Sequence, residues 1–427
     1  NVFGQVPKEH WKEIHRLSKL TGAETTMHAP LIDAAGFEQG RWNEATREDN
    51  ERRFQDLIGK AHEMNPKNAI VTIHATSERT GGVGVPSAMW RANKKEPEKE
   101  TMFAVNQETG ELTQVDTYRR EFPEKKTQSP EESLHARNKD QWDRHVLEMM
   151  QFKVAPDKIL TRALPLSPKY QEYSQKKLEL FEQARRERWS EPQFNEKFRE
   201  LQETEEAKMF TPEQRIMLPK VDVEAKLYYD DLDLYLKNFY NQAYKYTPEE
   251  QKERLEPAFE EIKEKFKEAE KQRQTNIFKA SGIYDELIRG LKQFQPELFV
   301  STDEFALKHS KETFANLALD SYKRFGNEAP IISIENSRAG TVFSRGEELA
   351  GLIKESRAEF VKKAVSEGVM SRARAEDVAS KLIGATWDVG HIALLRKQGF
   401  GMKEGKFSEE EFKKLMAAEA KNIAPFV

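Results

Sequence analysis

The segment Ile331-Ile332-Ser333-Ile334-Glu335-Asn336 decides how this chain is read. A short β-branched apolar run closes on residues able to hold a metal ion. A second run, Ile383 to Asp388, closes in Trp387-Asp388-Val389-Gly390-His391. Upstream, Met27-His28-Ala29-Pro30 and Ile73-His74-Ala75-Thr76 end two more strand-like runs, Glu24 to His28 and Ala69 to His74. Four strands that each end in His, Glu or Asp suggest one rim where residues remote in sequence converge, as at the C-terminal strand ends of a barrel. The expected fold class is α/β, a (β/α)8 TIM barrel.

Between these strands the pattern turns helical. Trp11, Ile14, Leu17 and Leu20 form one apolar stripe, and Phe54, Leu57, Ile58 and Ala61 another. Thr46 reads as the N-cap of the second helix, with Glu48 and Asp49 in its first turn and Asn65-Pro66 as its stop. An amphipathic helix around Phe314 to Tyr322, helices over 346–382 and a last helix over 408–420 continue the alternation, which predicts a parallel sheet. The chain opens at Asn1 and closes on Asn422-Ile423-Ala424-Pro425-Phe426-Val427, which reads as the start of a strand. Residues 1–84 and 301–427 are therefore expected to be parts of a barrel that is incomplete at both chain ends.

Residues 85–300 read as a large, mostly helical insertion. A hairpin of Thr101 to Val105 and Leu112 to Val115 opens it. Helix starts are signalled at Ser129-Pro130, Ser167-Pro168, Thr211-Pro212 and Thr247-Pro248, where a hydroxyl caps and Pro takes the first helical position. Leu227, Leu232, Leu234, Tyr235, Leu236, Phe239, Tyr240 and Ala243 supply a core-facing helix. Such an insertion forms its own subdomain, or an arm that grips a protein partner. No repeat of fixed period is visible.

Composition narrows the chemistry. The 427 residues carry 69 Lys and Arg against 73 Asp and Glu, so the net charge of −4 announces no general affinity for nucleic acid. There is no cysteine. Disulfides and thiolate catalysis are excluded, and any metal must be held by His, Asp or Glu. No apolar run approaches the roughly 18 residues of a membrane span, and a cytoplasmic protein without membrane contact is expected.

The metal ligands expected are His28, His74, Glu335, Asp388 and His391, with Gly390 letting the last turn tighten. Each has a blander reading alone. A histidine after a strand is more often structural, Glu335 could cap a helix or pair with Arg338, and Asp388 could be an N-cap. Five such residues on four strand ends argue for a centre. His10, His15, His62, His135, His145 and His309 fall in helical stretches and read as surface or packing residues. Thr80-Gly81-Gly82-Val83-Gly84 lacks the lysine of a phosphate-binding loop and reads as a flexible lead into the insertion.

These motifs resemble the xylose isomerase-like and endonuclease IV superfamily of TIM barrels, and within it endonuclease IV. Met27-His28-Ala29-Pro30-Leu31-Ile32 and Thr72-Ile73-His74 are similar to that family's two histidine strands. Ile334-Glu335-Asn336-Ser337-Arg338-Ala339-Gly340 resembles its bridging-glutamate motif, and Trp387 to His391 its aspartate-two-residues-histidine motif. The resemblance covers roughly residues 10–80 and 300–427. It implies that His28 and His74 hold one zinc, that Glu335 bridges to a second also held by Asp388, and that His391 serves a third. It further implies a DNA-repair hydrolase acting on duplex DNA at abasic sites or on a related phosphodiester. The insertion departs from the family, as does Asp33, where the family tends to carry a neutral polar residue. The family's later ligands would lie beyond Val427.

Two alternatives stand beside this reading. One is a manganese- or magnesium-dependent sugar isomerase or epimerase acting on a phosphorylated or free sugar, with Glu335 as ligand or general base. Sugar isomerases of this superfamily build their centres chiefly from carboxylates, so the paired early histidines favour the phosphoesterase. The other is a non-catalytic barrel scaffold that works through its helical insertion.

Overall fold

The computed structural model describes residues 6–67, 69–76, 85–87, 89–91, 98–121, 126–163, 167–208, 210–394 and 409–427. The chain divides into two compact units. One comprises Asn1–Leu134 with Phe299–Val427, the other His135–Leu298.

The first unit is built on a parallel sheet of four strands, β1 (Met27–His28), β2 (Ile70–His74), β3 (Ile331–Glu335) and β4 (Ile383–Thr386), which lie side by side in chain order. The pairing is Met27 to Val71 between β1 and β2, Ile73 to Ile334 between β2 and β3, and Ile334 to Ala385 between β3 and β4. One face carries Val71, Ile73, Ile332, Ile334, Ile383 and Ala385, all buried in the apolar core. The helices α1 (Lys8–Thr21), α2 (Glu44–Met64), α3 (Thr302–Phe325), α4 (Gly346–Ser366) and α5 (Arg372–Leu382) pack each against the next. Phe54, Leu57, Ile58 and Ala61 of α2 join this core, as do Phe314 of α3 and Phe360 of α4. Alternation of strands and helices thus yields the parallel α/β layer expected. Among the described residues the sheet has four strands and does not close into a barrel. Closure demands a full circle of tilted, staggered strands.

Several expectations fail. Helix α2 begins at Glu44, capped by the Asn43 side chain on the Ala45 amide, one turn before Thr46. The ribbon of Phe37–Glu38 and Arg41–Trp42 delivers the chain there. In α1, Trp11 is buried but Leu17 and Leu20 are exposed, because only the first part of the stripe meets the core. The terminal segment is not a strand: α7 (Glu409–Ile423) runs into a 3-10 turn, Ala424–Phe426. Ile423 is buried and Phe426 packs beside it, under Lys354 and Arg357. Ile423 and Phe426, three apart, share one side of a helical turn, which a strand would put on opposite faces. The division between units also differs from a boundary at residue 85. Strand Glu98–Asn106 pairs with both Leu112–Asp116 and Phe299–Ser301, which ties the hairpin to the first unit.

The second unit is all helix among its described residues, around its own core of Trp142, Tyr229, Leu232, Phe259, Tyr284 and Phe294 among others. Ser129 and Thr211 cap as expected, each with its reciprocal bond three residues on. Thr247 does not. It closes the preceding helix by bonding the Ala243 carbonyl, and Pro248 is the cap of Glu249–Thr275. Leu227, Leu234 and Tyr235 are exposed, so the expected core stripe narrows to Leu232, Leu236, Phe239, Tyr240 and Ala243. No helix among the described residues is long and apolar enough to cross a membrane.

Candidate metal centre

The sheet's second face is polar where the first is apolar. Paired residues of a parallel sheet point the same way, and successive residues alternate. Val71, Ile73, Ile332 and Ile334 turn to the helices, so Thr72, His74, Ser333 and Glu335 turn away from them. Register sets His74 beside Glu335, and Glu335 beside Thr386. His28 lies beside Thr72. The shared rim therefore carries two imidazoles and a carboxylate on one face.

Their atoms converge. Glu335 Oε2 lies 3.0 Å from His28 Nε2 and 3.2 Å from His74 Nε2, with the two rings 5.0 Å apart. Glu335 is 6% exposed. Among the described residues no Lys or Arg lies at salt-bridge distance from it. A buried carboxylate of this kind calls for a compensating cation. His28 Nδ1 lies 2.9 Å from the Ala29 carbonyl, which can only accept. Its Nδ1 therefore carries the proton, and a neutral His28 ring turns the lone pair of Nε2 toward the carboxylate. Two lone pairs facing each other at 3.0 Å repel unless a cation or a second proton stands between them. This fits a metal ligand, whose other ring nitrogen ordinarily donates to a carbonyl or carboxylate.

A second group overlaps the first. Beyond β4, Asp388 caps the one-turn helix α6 (Val389–Ala393), its Oδ1 accepting from the Gly390 amide at 2.6 Å. A Cβ on Gly390 would stand 3.0 Å from that oxygen, so glycine relieves the turn. The other oxygen, Oδ2, lies 3.5 Å from His391 Nε2. His391 repeats the device seen at His28: Nδ1 meets the Asn336 carbonyl at 2.8 Å, leaving Nε2 for the centre. The His74 and His391 rings are 5.5 Å apart. Two donor sets result, His28/His74/Glu335 and Glu335/Asp388/His391, in each of which the donor atoms lie within 4.8 Å of one another. All five residues singled out from the sequence fall in these sets, with Glu335 common to both. The other six histidines sit in helices and in neither set. The glycine-rich stretch 80–84 lies outside the described residues.

Two residues beside the donors do work that sequence reading did not assign. Asn336 is fully buried and bonds the Asp388 backbone twice, Nδ2 to the carbonyl at 3.1 Å and Oδ1 from the amide at 2.7 Å. Its position directly after the strand-end glutamate was the only signal. Asp33, noted as a departure, is buried and gathers the loop after β1. Oδ1 accepts from the Ala35 and Phe37 amides at 2.9 and 3.2 Å, and Oδ2 from Thr76 Oγ1 at 2.6 Å. Its role is to hold the loops at the rim. The loop after β3 folds back on itself, the Ser337 amide donating to the Phe343 carbonyl at 3.2 Å while buried Phe343 takes a left-handed φ of 63°.

Compared with family models, curated proteins and solved structures, the chain matches none of the three.

Proposed function

We propose that this chain holds a pair of divalent ions, zinc by preference, bridged by Glu335, and that it hydrolyses a phosphodiester in the manner of endonuclease IV. The observation that carries the reading is the Glu335 carboxylate, buried with no Lys or Arg at salt-bridge distance among the described residues, facing the Nε2 atoms of His28 and His74 and shared by two donor sets. Three imidazoles with two carboxylates suit zinc better than magnesium or calcium, which favour all-oxygen surroundings. Bound there, the ions would supply Lewis acidity to a phosphoryl group and acidify water. His28, His74, Glu335, Asp388 and His391 would hold the ions at the rim, and the Nδ1 contacts of His28 and His391 with backbone carbonyls would fix those two rings. Arg338, exposed three residues beyond Glu335 and in no ion pair among the described residues, would be available to an anionic substrate. Strands side by side in chain order, with consecutive helices packed along them, support reading the sheet as four successive units of a TIM barrel. A doubly wound sheet would reverse its strand order part-way.

The test is metal content followed by cleavage. After dialysis and reconstitution with zinc, two equivalents should remain bound, and a duplex oligonucleotide with one abasic site should be nicked. One weakly held manganese with sugar-dependent proton exchange would replace this reading by an isomerase. Absence of bound metal after reconstitution would remove both.

A further inference from the structure

The two donor sets differ in how they are held. His28, His74 and Glu335 sit on strands whose backbones are tied by the sheet ladder. Asp388 and His391 lie past its end, because pairing of β3 with β4 stops at Glu335 and Thr386. Beyond that rung the Asn336 side chain takes the ladder's place. Its amide offers one donor and one acceptor to the carbonyl and amide of Asp388, as a neighbouring strand would. The carbonyl of the same residue orients His391. No other described side chain bonds the Asp388 backbone. Apolar packing also anchors this half, Ile392 against Ala339 with Trp387, Leu415 and Met416 beside them.

We infer that Asn336 is the positioning residue that sets Asp388 and His391 relative to Glu335, so that it governs the second metal position and leaves the first nearly untouched. This rests on the metal-centre reading above. An amide is required at this place. Aspartate lacks the donor and adds charge between two carboxylates, leucine of similar size lacks both groups, and glutamine is longer by a methylene.

The experiment titrates the metal-free full chain with zinc alone by calorimetry, for the native protein, Asn336→Leu, Asn336→Asp and His74→Ala. The native protein should show two sites. Asn336→Leu should keep the first at its native affinity and weaken the second by about 10- to 100-fold, the usual effect of losing a residue that orients a ligand. Asn336→Asp should weaken the same site, and His74→Ala should lose the other. A merely structural role would weaken both sites together or neither, and either pattern overturns the inference while leaving the metal centre standing. A native protein that binds no zinc overturns the reading beneath it. Hydrogen exchange of the native metal-free protein gives a check that needs no variant. The amide of Asp388, which donates to the Asn336 side chain, should be protected, and its exchange at the rate of an open loop would refute the clasp.

Discussion

Replacing Glu335 by Gln tests the centre most directly, because the structure assigns that carboxylate to both donor sets. In the metal-free protein the change should cost little. The amide NH2 can donate to one of the two imidazole Nε2 atoms, and a net hydrogen bond is worth about 1 kcal/mol. Loss of a buried charge that no described Lys or Arg pairs partly offsets even that. With zinc the balance changes. At a free concentration about 100 times the dissociation constant, each occupied site adds about 2.7 kcal/mol. Two sites give about 5 kcal/mol, which in a unit of this size raises Tm by roughly 10–20 °C. In the variant each set of three donors falls to two, so most of that rise should vanish. His74→Ala and Asp388→Asn, which each strip one set only, should keep about half. Differential scanning calorimetry with and without zinc, after dialysis against a chelator, reads all four proteins. A Glu335→Gln protein that gains as much from zinc as the native one would refute the shared-ligand assignment.

Three further predictions concern the frame around the centre. Burial among Trp42 and Phe305, opposed in part by Glu44, lowers the His309 pKa to about 4. The unfolded chain then binds a proton near pH 6.5 that the folded one refuses until about pH 4, so His309 favours the fold above pH 6.5 and withdraws up to about 3 kcal/mol as pH falls through that window. His309→Gln should flatten this part of the curve of urea-measured stability against pH, and an unchanged slope would sink the argument. Asp33→Ala strands the Ala35 and Phe37 amides and the Thr76 hydroxyl, and should cost about 3 kcal/mol. A loss under about 1 kcal/mol would show that water replaces the carboxylate. Residues 135–298 expressed alone should unfold in one cooperative calorimetric transition, since their core is self-contained. A broad, non-cooperative melt would mean that this core needs the rest of the chain.

Much of the first unit was legible because strands and helices announce themselves locally. Ile331 to Glu335 is a strand with the bounds its residues suggest, and Ile70–His74 nearly so. Side-chain chemistry at the strand ends marked His28, His74, Glu335, Asp388 and His391 before any geometry was available. Where two local signals competed, the sequence could not choose. Asn43 and Thr46 are both capping residues, and the antiparallel ribbon before Asn43 decided between them. Asn422 to Val427 suits a strand or a turn of helix, and docking of Ile423 and Phe426 settled it. The hairpin after residue 98 was given to the insertion because its partner Phe299–Ser301 lies nearly 200 residues further on.

Residue type and spacing alone determined which groups could bind a metal, that Ile331 to Glu335 is a strand, and that thiol chemistry is absent. Those properties belong to single residues and their near neighbours. Tertiary structure decided which groups meet. Hydrogen-bond register placed Glu335 beside His74, and the Asn336 clasp brought Asp388 and His391 to the same carboxylate. A slip of one residue would turn either strand's ligand to the opposite face. Proximity between residues more than 300 positions apart, such as His28 and Glu335, is a property of paired backbones, and no local pattern encodes it.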